Sequence, residues 1–143
     1  CGDSSDEKQD SFCGKCDFET DPCKAFHELN LHPGWIRRNG QSGLGPPYSD
    51  HQGNESAYFL SLSSEMRPFS ATLRSKVFLP TDNELICQIT FHYWLSQKHG
   101  TLMMGLQKHS EGTFTNLWQV SGGLQDQWKA KTIRINSTEK YEV

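Results

Sequence analysis

Cysteine is the residue type with the most evident chemistry in this 143-residue chain, and four of its five cysteines lie within the first 23 residues. Cys13, Cys16, Cys23 and His27 have the spacing C-x2-C-x6-C-x3-H, which offers four ligands to a tetrahedral zinc ion. The spacing matches none of the common zinc patterns with a long linker. A thioredoxin-type redox pair is weaker still, because its C-x-x-C opens a helix in a βαβ pattern that this sequence lacks. Disulfide bonding is the remaining interpretation.

Two N-glycosylation sequons favour disulfides independently. They are Asn54-Glu-Ser56 and Asn136-Ser-Thr138, and both are flanked by turn-like or polar residues. Together with the clustered cysteines and the strand pattern below, they indicate an oxidising compartment. We therefore expect an extracellular or cell-surface protein in the secretory pathway, glycosylated at Asn54 and Asn136.

Composition and charge argue against two classes of partner. The net charge is −3, with acidic residues concentrated in the first 23, so no basic patch typical of a nucleic-acid binder is present. The longest apolar runs fall far short of the ~18 residues that a membrane span needs. The sequence opens without the basic and apolar stretches of a secretory signal. We expect a segment of a longer protein that neither binds nucleic acid nor inserts into a membrane itself.

From Trp35 onward, apolar and polar residues alternate with the period of a β-strand. The strongest such run covers residues 85–95, with Cys87, Ile89, Phe91 and Tyr93 on one face. The other predicted apolar faces are Tyr58, Leu60 and Leu62; Ala71, Leu73, Val77 and Leu79; Leu102, Met104 and Leu106; and Trp128 with Ala130, shifting through a bulge to Ile133 and Ile135. Strands with one polar and one apolar face predict an all-β, antiparallel β-sandwich.

Residues 16–143 resemble a MAM domain, the adhesion module shared by meprins, neuropilins and receptor tyrosine phosphatases. The matching motifs, in the family's order, are Cys16-Asp-Phe-Glu-Thr-Asp-Pro-Cys23, Gly34-Trp-Ile-Arg37, Gly45-Pro-Pro-Tyr-Ser-Asp-His51, Ser56-Ala-Tyr-Phe59, Ala71-Thr-Leu-Arg-Ser75, Cys87-Gln-Ile-Thr-Phe-His-Tyr93, Gly100-Thr-Leu102, Leu117-Trp118 and Gly123 to Trp128. The resemblance implies a jelly-roll-like sandwich, here truncated at its C-terminal end before its final strand or strands.

The same resemblance implies roles for the cysteines of this segment. Cys16 and Cys23 would form a small local disulfide. Cys87 would pair in the family with a cysteine after the last strand, so we expect it to be unpaired here.

The resemblance also implies cation ligands at Asp17, Glu19 and Asp50. Simpler alternatives remain open for two of them. Glu19 could be a buried carboxylate paired with a base such as Arg37. Asp50, which follows Pro-Pro, could form an Asx turn.

The first residues carry a second resemblance. Cys1-Gly-Asp-Ser-Ser-Asp-Glu7, followed by Cys13, resembles the end of an LDL-receptor class A module, in which the acids matching Asp6 and Glu7 bind calcium. The remaining ligands of that family lie further upstream, so the site would be incomplete and Cys1 and Cys13 unpaired. The predicted organisation is a class A remnant at 1–13, a linker at 14–15 and the MAM domain at 16–143.

The function that these resemblances imply is that of an extracellular, non-catalytic adhesion or interaction module from a larger, membrane-tethered, receptor-like protein. Its partner would be another extracellular protein or a second copy. The alternative is a β-sandwich that binds carbohydrate with calcium as cofactor. We expect no enzyme, because no nucleophile motif such as G-x-S-x-G occurs. Trp94 has the opposite parity to Phe91 and Tyr93, so a surface contact is one alternative for it.

Overall fold

The structure is a computed structural model, and it describes residues 16–19, 34–62, 70–81, 87–96, 100–122 and 126–143. Within these ranges the regular elements are a short 3-10 helix at Gly40–Ser42 and seven strands: β1 Trp35–Asn39, β2 Tyr58–Leu62, β3 Cys87–Tyr93, β4 Thr101–Lys108, β5 Phe114–Ser121, β6 Lys129–Ile135 and β7 Tyr141–Glu142. Every strand pair is antiparallel. The predicted all-β class is confirmed.

The described residues divide into two compact units. The N-terminal unit falls within residues 15–75, and the C-terminal unit contains the strands from residue 76 onward. No helix among the described residues is long and apolar enough to cross a membrane.

The N-terminal unit is built on the β1–β2 ribbon, whose register runs from Trp35 opposite Leu62 to Asn39 opposite Tyr58. Its buried apolar residues are Ala57 and Phe59. The predicted apolar face of Tyr58, Leu60 and Leu62 is therefore wrong as a core face, since Leu62 is exposed. The reason is that both faces of this strand are largely apolar in sequence, so alternation alone does not select the buried one.

The C-terminal unit is a β-sandwich of two sheets. One sheet pairs β3 with β6, and the other has the order β5-β4-β7. Phe91 and Tyr93 of β3 meet the ring of Trp118 on β5 edge to face, with ring centroids 5.5 and 5.1 Å apart. Edge-to-face contacts of this kind are favourable aromatic geometry. The predicted stacking of two antiparallel sheets is confirmed, and so is the apolar face of β3, whose alternate residues are exposed.

The most buried part of this sandwich surrounds Tyr141, which is 2% exposed and packs with Leu106 and Ile135. The backbone of Tyr141 exchanges two hydrogen bonds with Phe78, of 2.7 and 3.1 Å. Its hydroxyl donates to the Sγ atom of Cys87 at 3.5 Å, and burial raises the pKa of Tyr141 above its ordinary value.

Residues 71–79, predicted to be a strand, contribute isolated bridges instead of a regular ladder.

The predicted bulge in the last long strand is also wrong. The β3–β6 register is continuous from Cys87 opposite Ile135 to Tyr93 opposite Lys129. Lys131 therefore shares the inner face with Ile133, and its Nζ atom lies 5.9 Å from the ring centroid of Trp118. A lysine can occupy such a position because its methylene stem packs on apolar surface while the ammonium contacts an aromatic face.

The irregularity that does occur lies between β4 and β5. Met104 pairs with Trp118 and the next residue, Gly105, pairs with Asn116, so Leu117 is the extra residue of a β-bulge. Gly105 is buried here, and a Cβ at this position would lie 2.2 Å from the carbonyl oxygen of Thr115. Glycine thus permits the close approach of the two strands.

Candidate interaction surface

Arg38 is a buried arginine in the middle of β1, where it is 5% exposed. Its guanidinium lies 4.8 Å from the ring centroid of Phe59. The terminal nitrogens donate to four oxygens of the segment that follows β1: the carbonyls of Gly45 (3.0 Å), Pro46 (2.8 Å) and Pro47 (3.4 Å) and the Oγ atom of Ser42 (3.4 Å). The side chain therefore fixes a segment that has no strand partner of its own.

The charge of Arg38 is compensated by dipoles. No carboxylate of the described residues forms an ion pair with it, and its Nε atom has no hydrogen-bond partner within them. Burial lowers the pKa of Arg38 below its ordinary value, although an arginine of this kind remains protonated at physiological pH. Convergent carbonyl dipoles are what a buried cation requires in place of water.

Residues 40–56, which we call the Arg38 loop, begin with the 3-10 helix and return to β2. The two ends of the loop meet at Gly40, whose backbone nitrogen donates to the carbonyl oxygen of Glu55 at 2.9 Å. A Cβ at Gly40 would lie 1.8 Å from the carbonyl oxygen of Tyr48, so only glycine allows this approach. Gly43 and Gly45 have φ of 74° and 80°, the left-handed region that glycine adopts readily.

Asp50 organises the second half of the Arg38 loop. Its Oδ1 atom accepts hydrogen bonds from the backbone nitrogens of Gln52 (2.9 Å) and Asn54 (2.7 Å). The backbone nitrogen of Asp50 also donates to the carbonyl oxygen of Asn54 at 3.0 Å. This arrangement is an Asx turn, the alternative to a cation ligand that the sequence left open for Asp50.

Glu19 and Arg37 lie together, as expected, but not as an ion pair. The Nη2 atom of Arg37 donates to the backbone carbonyl of Glu19 at 2.7 Å, and its Nε atom donates to the carbonyl of Phe18 at 2.5 Å. The carboxylate of exposed Glu19 instead accepts from the backbone nitrogen of Tyr58 at 2.9 Å, while Arg37 stacks 3.5 Å from the Tyr58 ring centroid. These contacts tie residues 16–19 to the β1–β2 ribbon.

The Arg38 loop presents two large apolar side chains to solvent. Tyr48 is 65% exposed and Leu44 is 60% exposed, although the backbone beside them is held by Arg38 and Gly40. Tyrosine is enriched at protein interfaces because it offers a large contact area together with a polar tip. An exposed aromatic on a fixed backbone is therefore suited to binding another molecule.

Comparison with known proteins identifies the fold family. The family model of the MAM domain (meprin/A5/mu) matches residues 16–143. The chain belongs to the MAM domain family. Neuropilin-1 of Xenopus laevis is 30% identical to it over 124 residues, which cover 85% of this chain and 13% of neuropilin-1.

Membership of this family confirms the MAM resemblance found in the sequence, and it places the chain among extracellular adhesion and protein-interaction modules. The chain spans about an eighth of the neuropilin-1 relative, since it covers 13% of that protein. The class A resemblance concerns residues 1–13, which lie outside both the family match and the described residues, so it stays a prediction.

Asp17, Glu19 and Asp50, the carboxylates predicted to bind a cation in the part of the chain that the structure describes, are not grouped together there. Calcium requires six to eight oxygen ligands. No group of three or more His, Cys, Asp or Glu side chains suited to a metal ion occurs in the part of this MAM domain that the structure describes. Asp17 accepts a hydrogen bond from the backbone nitrogen of Glu19 at 3.1 Å. The carboxylates of Glu19 and Asp50 likewise accept hydrogen bonds from backbone nitrogens. Asp6 and Glu7 lie outside the described residues, and calcium binding stays a prediction.

The cysteines of the MAM domain have different states. Cys16 is disulfide-bonded. Its predicted partner Cys23 lies outside the described residues. Cys1 and Cys13, which precede the MAM domain, lie outside them too, so these three assignments stay predictions. Cys87 at the start of β3 is a free, half-buried thiol.

Both sequon asparagines of the MAM domain are exposed. Asn54 lies in the Arg38 loop, where its Oδ1 atom accepts from the backbone nitrogen of Ser56 at 3.0 Å. Asn136 directly follows β6, and its Oδ1 atom accepts from the Oγ1 atom of Thr81 at 3.3 Å. Trp94, for which a surface contact was one alternative, is half-buried just after β3.

Sequence reasoning missed Arg38, Leu44 and Tyr48. Arg38 was unrecognised because an arginine in a strand is usually a solvent-facing residue, and the family motif directed attention to Arg37. One signal was available: Gly45-Pro-Pro47 follows soon after Arg38, and its two prolines offer carbonyl acceptors without N–H donors.

Proposed function

We propose that this MAM domain is a non-catalytic extracellular interaction module and that the Arg38 loop is its contact surface. The observation that supports the proposal is the Arg38 guanidinium, which binds the carbonyls of Gly45, Pro46 and Pro47 and leaves Tyr48 exposed beside them. The module would work within a larger, membrane-tethered, receptor-like protein; the relative neuropilin-1 is itself much longer than this chain, which covers 13% of it.

The fixed loop backbone is what favours binding. A protein interface must offset the entropy lost when loops and side chains become ordered, which is about 0.5–1.5 kcal/mol for each flexible side chain. The bonds of Arg38 and the close approach at Gly40 order the backbone before any partner arrives. Tyr48 and Leu44 then supply apolar area, with Tyr48 as the central anchor.

The charge of the Arg38 loop indicates the chemistry of the partner. Residues 40–56 contain Asp50 and Glu55 and neither lysine nor arginine. A complementary protein surface would carry an apolar pocket for Tyr48 and basic side chains at its rim, because charge complementarity steers encounter and selects partners. The proposed partner is an extracellular protein of this kind, and a second copy of the chain is the other partner that the test must distinguish.

Binding of the multimerised domain to intact cells tests this function. Fluorescent tetramers of the wild type, enzymatically freed of N-glycans, are compared with tetramers of Tyr48→Ala treated in the same way, with and without trypsin treatment of the cells. Met103→Ser is the matched control, because Met103 is a similarly exposed apolar residue (56%) in the other unit. We expect trypsin-sensitive binding that Tyr48→Ala abolishes and Met103→Ser retains. Concentration-dependent sedimentation of the wild type, lost in Tyr48→Ala, would identify a second copy as the partner.

A further inference from the structure

We propose that Asn54 carries an N-linked glycan that covers Tyr48 and thereby controls access to the Arg38 loop. The shielding itself is independent of any partner. Its consequence for binding rests on the proposed function.

Asn54 has the chemistry that N-glycosylation needs. Its side chain is exposed, and its Oδ1 atom is occupied by the backbone nitrogen of Ser56. The Nδ2 atom, to which a glycan attaches, has no hydrogen bond within the described residues. In the transfer, Nδ2 forms a bond to the first sugar carbon of a lipid-diphosphate-linked oligosaccharide, the bond between that carbon and the phosphate oxygen breaks, Nδ2 loses a proton and the lipid diphosphate leaves.

The loop also sets the position of Asn54 relative to Tyr48. Asp50, two residues beyond Tyr48, is joined to Asn54 by the 3.0 and 2.7 Å hydrogen bonds of the Asx turn. Gly40 lies against both segments. Its backbone nitrogen donates to the carbonyl oxygen of Glu55, and a Cβ at Gly40 would overlap the carbonyl oxygen of Tyr48. The backbones at 48 and at 54–55 are thus neighbours across Gly40, and a bulky glycan on Asn54 stands beside the Tyr48 side chain.

The other sequon provides a contrast. Asn136 accepts a hydrogen bond from Thr81, and the next residue, Ser137, is buried, with its Oγ atom donating to the carbonyl of Glu139. This sequon lies in the C-terminal unit. A glycan there would extend from a turn of the sandwich and would serve as the internal comparison.

The test measures how readily Tyr48 is modified by a small aqueous reagent. The full chain is secreted from a glycosylating host as wild type, Ser56→Ala, Ser56→Thr and Thr138→Ala, and intact mass gives the glycan count. Ser56→Thr is the matched control because it keeps both a hydroxyl and the sequon. Each protein is then exposed to hydroxyl radicals, and oxidation of Tyr48 is quantified by peptide mass spectrometry with Tyr58 as the reference.

We expect wild type and Ser56→Thr to carry a glycan at Asn54 and to show a several-fold lower oxidation of Tyr48 than Ser56→Ala. Thr138→Ala should match the wild type at Tyr48. Enzymatic removal of the glycan from folded wild type should raise the oxidation to the level of Ser56→Ala, which excludes misfolding of the variant. An empty Asn54, or equal oxidation of Tyr48 with and without its glycan, would overturn the inference.

The same samples separate this inference from the proposed function. If Tyr48→Ala abolishes cell binding of the unglycosylated protein but the glycan leaves Tyr48 oxidation unchanged, only the shielding inference fails. If the glycan shields Tyr48 but Tyr48→Ala binds cells like its parent, the contact surface has been misassigned and the shielding stands.

Discussion

Arg38 donates a 2.8 Å hydrogen bond from its Nη2 atom to the carbonyl oxygen of Pro46, from a side chain that is 5% exposed. This bond joins the buried face of β1 to the loop that carries Tyr48. The positive charge of Arg38 meets carbonyl and hydroxyl dipoles and the face of the Phe59 ring.

Replacing Arg38 by lysine should lower the free energy of unfolding by about 2 kcal/mol, because hydrogen bonds to a charged group contribute roughly 1.5–3 kcal/mol. A lysine ammonium lacks the planar fork that reaches several carbonyls at once. Urea denaturation measures the change. Arg134→Lys is the control, since Arg134 is an exposed arginine of β6 and its replacement should cost about 0.5 kcal/mol or less. Equal losses in the two variants would show that Arg38 has no special structural role.

Gly40→Ala should disrupt the return of the Arg38 loop. The added methyl would overlap the carbonyl oxygen of Tyr48 at 1.8 Å, and backbone atoms on both sides must move. We expect a loss of about 1–3 kcal/mol, as for other forced overpacking, together with faster amide exchange at residues 40–56. Gln41→Ala, which removes one exposed side-chain contact to Ser56, should leave both quantities nearly unchanged. Unchanged exchange in Gly40→Ala would contradict the described loop closure.

Asp50→Ala should destabilise the N-terminal unit, whereas Asp50→Asn should be tolerated. Asparagine keeps the Oδ1 acceptor for the backbone nitrogens of Gln52 and Asn54, and alanine does not. The expected cost of Asp50→Ala is about 0.5–1.5 kcal/mol, the net contribution of hydrogen bonds whose donors stay accessible to water. Thermal melts with calcium and with a chelator provide the second readout. If calcium stabilises the wild type but not Asp50→Asn, Asp50 is a metal ligand after all.

Tyr141 should make stability depend on alkaline pH. Burial raises the pKa of Tyr141 above its ordinary value of 10.0, so the folded state retains a proton that the unfolded chain releases. The associated stability is fully present below pH 10 and is lost as the pH rises above it. Tyr141→Phe keeps the ring contact with Phe78, 5.5 Å between centroids, and should flatten this part of the stability–pH profile. Identical slopes for the two proteins above pH 10 would refute the assignment.

The strands that the sequence predicted well are those in which only one face is apolar. In β3, Cys87, Ile89, Phe91 and Tyr93 alternate with polar residues, so hydrophobic burial selects a single register. β2 failed this criterion because Phe59 competes with Tyr58 for the core. In β6 the predicted apolar face of Trp128 and Ala130 shifted to Ile133 through a bulge, whereas the strand is regular and the ammonium of Lys131 contacts Trp118 from the inner face.

The candidate surface was less predictable than the fold because it depends on contacts distant in sequence or on exposure. The Asx turn at Asp50 is local, so a Pro-Pro-Tyr-Ser-Asp segment was enough to suggest it. The role of Arg38 requires carbonyls 7 to 9 positions away to converge on one side chain. That convergence is set by the path of the loop, which neither composition nor periodicity encodes.

Cell binding by the Tyr48→Ala tetramer, prepared from the unglycosylated Ser56→Ala parent, is the most direct test of the central claim that the Arg38 loop is the contact surface. Urea denaturation must first show that parent and variant are equally stable. The structure predicts that binding to the cell surface is lost in Tyr48→Ala and kept in Met103→Ser. Undiminished binding by a folded Tyr48→Ala tetramer would contradict the claim.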